Sequence, residues 1–109
     1  MTAAQTIGAY TDCQNVFDRA LAAERGIRIP FASKGDAVCQ RNRLNHFRSM
    51  HRKLSKEILP KDHPEFGMSC YDPYMVSLRE DTEGFWWIYI IPRIDNFGEA
   101  EEITDANAP

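Results

Sequence analysis

From Asp36 to Leu59 the chain contains neither glycine nor proline. A stretch of that length exceeds what a strand uses and corresponds to roughly six to seven helical turns. Advancing by about 100° per residue from Ala37 gathers Cys39, Leu44, Phe47, Met50, Leu54 and Ile58 in one sector, with Ala37 on its border. Ser33 is placed to cap the start, with Asp36 three residues on, and Pro60 excludes the helical conformation from the residue before it. The spacing therefore predicts a long amphipathic helix over 34–59, and every other element has to pack against its apolar stripe.

The opposite face of this helix is basic. Arg41, Asn45, Arg48 and Arg52 follow one another at steps of four, three and four, Lys56 continues the ridge, and Lys53, Asn42, Ser49 and His46 flank it. No acidic residue stands four positions from Arg41, Arg48 or Arg52 within the helix, so the ion pairs that make a charged helix face self-sufficient are missing. Arg43 differs, because it projects into the apolar sector. It is expected either to lay its stem there with the guanidinium reaching solvent, or to pair with Asp72 or Asp18.

Charge is strongly segregated along the sequence. Residues 25–61 hold ten of the thirteen basic residues against Asp36 and Glu57, whereas residues 65–109 hold ten acids against Arg79 and Arg93. The net charge of -3 conceals this division.

Around the long helix the remaining elements are short. Residues 11–25 carry Val16, Phe17, Ala20 and Leu21 at helical spacing, with Thr11 or Asp12 as cap and Gly26 as the stop. Ile27, Ile29 and Phe31 alternate in a short strand that Pro30 consigns to a sheet edge or strand end. Residues 60–73 form an irregular loop with three prolines. Residues 74–79 and 85–91 then make a β-hairpin around Asp81-Thr82-Glu83-Gly84, with Gly84 supplying a positive φ. In the second strand Phe85, Trp87, Tyr89 and Ile91 share one face and Trp86, Ile88 and Ile90 the other. Both faces being apolar implies a central strand, or one face on the helix and the other offered to a partner.

The fold class expected is α+β: two helices, one long, basic and amphipathic, packed on a small mostly antiparallel sheet containing a C-terminal β-hairpin. Residues 1–94 form a single domain of ordinary size, and residues 95–109 an acidic, mobile tail. No apolar run is long enough to span a bilayer, and the first ten residues lack the basic start of a signal peptide, so a cytoplasmic location without membrane contact is expected. The three cysteines are odd in number and widely spaced, as reduced thiols are.

No chemistry-bearing motif stands out. The chain has no G-x-S-x-G, no H-E-x-x-H, no phosphate-cradling glycine-rich loop and no C-x-x-C pair, so neither catalysis nor a metal or other cofactor is expected. Asp62, His63, Glu65, Tyr71 and Asp72 cluster in the loop, where His63 is expected to order the chain rather than act as a base. The leading expectation is a small non-enzymatic nucleic-acid-binding protein of regulatory or accessory type. Arg41, Asn45, Arg48, Arg52 and Lys56 would contact DNA or RNA, with Lys34, Lys53 and Lys61 adding attraction. The alternative is a protein-interaction module, an adaptor or inhibitor, docking through Trp86, Trp87 and Tyr89 of the aromatic hairpin. Under either reading the last strand, as an apolar edge, could pair two copies in a homodimer.

Overall fold

The long helix, α3 (Lys34–Ile58), begins where expected: the Ser33 hydroxyl accepts the Asp36 amide at 3.2 Å. It ends at Leu59, which takes the extended conformation that a following proline requires. The computed structural model describes residues 3–93 and 104–106. Along the chain these form α1 (Ala3–Ile7), a single 3-10 turn (Gly8–Tyr10), α2 (Thr11–Ala22), β1 (Ile27–Phe31), α3, β2 (Tyr74–Glu80) and β3 (Trp86–Pro92). The architecture is α+β, with α2 and α3 packed on a three-stranded antiparallel sheet whose β2 and β3 make the hairpin. The acidic segment expected from residue 95 lies outside the described residues except for 104–106.

The sheet order is β1-β3-β2, so β3 is flanked on both sides. Ile27, Ile29 and Phe31 pair with Ile90, Ile88 and Trp86, while Val76 and Leu78 pair with Ile90 and Ile88. These residues share the helix-facing side. Ile88 and Ile90 are fully buried there against Phe17 of α2 and Phe47 of α3. This position corrects the expectation that the last strand offers a free edge for dimerisation: among the described residues the edge strands are β1 and β2.

Two further corrections concern the helices. The chain enters α2 directly from the 3-10 turn, so neither Thr11 nor Asp12 is the cap; Thr11 lies inside the helix and its hydroxyl donates to the Gly8 carbonyl at 2.9 Å. The buried sector of α3 also extends past one border of the apolar stripe. Ala37, Leu44, Phe47 and Met50 of the stripe are buried, but so are Arg48 and Ser55, whereas Cys39 is exposed and Ile58 is 67% exposed. This arises because α3 is covered from two sides. The sheet and residues 60–73 cover the side of Arg48 and Ser55, while α1 packs along α3, with the Ala3 amide donating to Glu57 Oε1 at 2.9 Å.

Gly26, at the turn from α2 into β1, has φ 84°. A Cβ at this position would lie 2.2 Å from the Ile90 carbonyl oxygen, so both backbone conformation and close strand approach require glycine. Gly26→Ala should lower stability by about 2 kcal/mol or more, measured by urea unfolding. Gly35→Ala, in open space in the first turn of α3, should leave the midpoint unchanged or raise it.

Candidate functional site

The arginine ridge expected on α3 does not exist as a solvent-facing row. Arg48 is 8% exposed. Its guanidinium donates to the Tyr71 carbonyl (3.2 Å), the Tyr74 carbonyl (2.5 Å) and Asn45 Oδ1 (3.2 Å), and lies over the Phe17 ring. Arg48, expected in the exposed row, is therefore buried and bonded within the fold. A planar fork that satisfies carbonyls in two directions can be buried where the end of a loop would otherwise leave oxygens unpaired.

Arg52 is half-exposed and paired. Its Nε and Nη2 both meet Asp72 Oδ1, at 2.7 and 2.6 Å. Asp72 Oδ2 accepts the Ser69 amide at 2.9 Å. Burial raises the Asp72 pKa, but Arg52 and the Ser69 amide more than offset this and hold the carboxyl below its ordinary value. Of the other expected contacts, Asn45, Lys34, Lys53 and Lys56 are exposed and Arg41 is half-buried without an ion pair among the described residues. Asn45 supports Arg48, and the Lys56 stem lies against Gly67. Residues 60–73 thus fold back along the basic face, and no continuous basic track remains.

Arg43 pairs with neither Asp72 nor Asp18. It bonds both oxygens of Asp12 at the start of α2, with its guanidinium over the Tyr10 ring. Asp18 instead accepts the Tyr71 hydroxyl at 2.6 Å, and Tyr71 stacks on Phe17 in the core. His63 Nδ1 accepts the Glu65 amide at 3.0 Å, a loop-ordering contact as expected.

Beside the loop is a cavity of about 300 Å³ lined by Leu54, Ile58, Leu59 and Met68, with His51 and Ser69 among its polar groups. His51 Nδ1 lies 2.8 Å from Ser69 Oγ, and the ring stacks on Phe47. The serine oxygen also accepts the Tyr71 amide at 3.1 Å, and Ser69 is buried. These bonds fasten the loop to α3. Among the described residues no group of three or more His, Cys, Asp or Glu side chains is arranged to hold a metal ion.

The feature that the fold leaves open is the outer side of the sheet. Arg28 and Pro30 of β1, Trp87, Tyr89 and Ile91 of β3, and Met75, Ser77 and Arg79 of β2 occupy it by strand alternation. Both helices of the core lie on the other side, and no described element crosses this one. Trp87 and Tyr89 stand at its centre, each stacked by an arginine from a flanking strand. The Arg28 guanidinium lies 4.1 Å from the Trp87 ring centroid and that of Arg79 lies 4.6 Å from Tyr89. Asp81 at the hairpin turn fixes the arrangement: Oδ1 accepts the Glu83 and Phe85 amides, and Oδ2 accepts the Trp87 indole N–H at 2.8 Å. Trp86, the third interface candidate of the sequence, is half-buried on the opposite side of the sheet. It faces inward beside Phe31 and the core, with the Lys34 ammonium 5.1 Å above its ring.

No protein-family model matches the chain, and neither a curated protein nor a solved structure is detectably similar to it. No helix among the described residues is long and apolar enough to cross a membrane.

Two measurements test this arrangement. Arg48→Met should cost about 2–4 kcal/mol of stability in urea unfolding, because the Tyr71 and Tyr74 carbonyls lose their buried donor. His51 is pushed below its ordinary pKa of 6.5 by burial, against the opposing pull of Asp72 and Asp18. The unfolded chain therefore binds more protons as pH falls from about 6.5 toward the folded-state value, and stability declines over that window. His51→Gln should remove that part of the decline when unfolding is followed from pH 7 to 5.

Proposed function

We propose that this chain is a non-enzymatic docking module that binds a protein partner through the outer face of its sheet. The observation that carries this reading is the pairing of Trp87 with Arg28 and of Tyr89 with Arg79 on a face that no described element covers. Trp, Tyr and Arg are the residues that dominate interface energetics, and Met75 and Ile91 add apolar surface beside them. Stacking also holds each guanidinium flat, so its N–H edges remain directed away from the ring and suited to carboxylates.

The charge pattern favours protein over nucleic acid as the partner. Phosphate tracking needs a row of cations, whereas Arg28 and Arg79 lie on opposite strands with β3 between them, and the chain as a whole carries -3. The helix-face reading loses its continuous ridge to the contacts of Arg48 and Arg52. A partner with acidic residues bordering an apolar centre fits both arginines and the aromatic pair.

Affinity capture with immobilised wild type and with Trp87→Ala/Tyr89→Ala, followed by titration of the retained protein, tests the proposal. The double variant should remain folded and bind at least about 30-fold more weakly, as expected for the loss of a hot spot. Equal retention by both would overturn it. So would quenching of Trp87 fluorescence by a single-stranded oligonucleotide at physiological salt, which would assign the face to nucleic acid.

A further inference from the structure

The free edge of β2 is of a different kind from that of β1. On β1, Pro30 removes one of the amides that would point outward, which blunts that edge against pairing. The seven residues of β2, Tyr74–Glu80, contain no proline and no lysine, and its register against β3 runs one-to-one without a bulge. Strand edges of this kind are templates for another strand.

The direction of its hydrogen bonds follows from the ends of the hairpin. The Arg93 amide donates to the Pro73 carbonyl at 2.7 Å, and the Asp81 amide to the Phe85 carbonyl at 2.9 Å. Antiparallel pairs alternate, so Met75, Ser77 and Arg79 bond inward to β3. Val76 and Leu78 therefore turn their N–H and C=O groups to the open side, where no described strand lies. The middle residue of the strand is Ser77. Its Oγ is a buried side-chain oxygen with no hydrogen-bond partner among the described residues.

We infer that two copies of this chain pair through β2, antiparallel, about a two-fold axis at Ser77. In that register Val76 exchanges both backbone hydrogen bonds with Leu78 of the second copy, and Leu78 does the same with Val76. The axis falls at the strand's midpoint, and Val76 and Leu78 carry the ladder because the Tyr74 amide and carbonyl are already bonded to the Tyr71 carbonyl and Arg48. Ser77 meets its own counterpart in a non-hydrogen-bonded pair, with Cα atoms about 4.5 Å apart. Met75 faces Arg79 of the second copy on the outer side, while the half-buried Val76 and Leu78 extend the apolar inner side. The result is a continuous six-stranded sheet. Both arginine-stacked aromatic pairs then lie on one surface, which makes the docking face bivalent. The dimer does not depend on that docking role.

Light scattering on the wild-type chain should give twice the monomer mass of 12.5 kDa. The register is tested by cysteine cross-linking in a Cys39→Ser/Cys70→Ser background, since both native thiols are free and exposed. Under mild oxidation Ser77→Cys should form a covalent dimer. Met75→Cys and Arg79→Cys should fail to do so singly and should cross-link when mixed. A monomeric mass at high protein concentration would overturn the inference, as would a Ser77→Cys yield no greater than that of Met75→Cys. Leu78→Pro, which removes an outward amide but no bond to β3, should abolish the dimer while circular dichroism retains the folded signal.

Discussion

The guanidinium of Arg48 lies under the point where residues 60–73 become the edge strand β2, and it donates to the carbonyls of Tyr71 and Tyr74. It is a buried cation with no carboxylate of its own: Asn45 and two backbone oxygens surround it, and the Arg52–Asp72 pair lies beside it. Burial alone would favour losing such a charge, and it lowers the arginine pKa accordingly, yet an arginine remains protonated in proteins. The cost of burying it is offset only while Nη1 and Nη2 keep these partners. That condition fixes the rotation of α3, the course of the loop and the starting point of β2 together. It also seats Tyr71 between Phe17 and Phe47, so the polar tie and the aromatic core are closed by the same turn.

Much of this fold could be read from residue order. The absence of glycine and proline between Asp36 and Leu59, the Ser33 cap, the stop at Pro60 and the turn at Gly84, with φ 87°, each specify a local conformation by sterics or hydrogen bonding alone. The two apolar faces of β3 were legible too. The strand is central, and its second face is uncovered among the described residues. What the helical projection misplaced were the residues whose burial depends on distant polar partners. Arg48, His51 and Ser55 count as solvent-facing by hydrophobicity, but each finds its bond in residues 67–74. A signal for this did exist, since Arg48 lies beside Phe47 and four residues after Leu44. No rule of spacing connects it to carbonyls more than twenty residues away. The segment Ala3–Ile7 was equally hidden, because it is short and leans on Glu57.

The arginines show how one residue type is divided among unlike duties. Arg43 joins two helices through Asp12, Arg52 fastens the loop through Asp72, and Arg28 and Arg79 lie flat on aromatic rings. The segregation of charge along the sequence is therefore partly internal bookkeeping of the fold. A basic segment and an acidic one meet at Arg52 and Asp72, and the cations left on the sheet's open side are those already oriented by a ring.

The strand order carries a consequence for how the chain assembles. β1 and β2 never touch as strands; each is held by β3, which follows both in the sequence. During synthesis from the N-terminus the helices can form by local contacts as they emerge, but no ladder can close until the Trp86–Pro92 segment has left the ribosome. Until then two half-apolar ribbons stand without neighbours, and the last strand to appear converts them into a sheet in a single insertion.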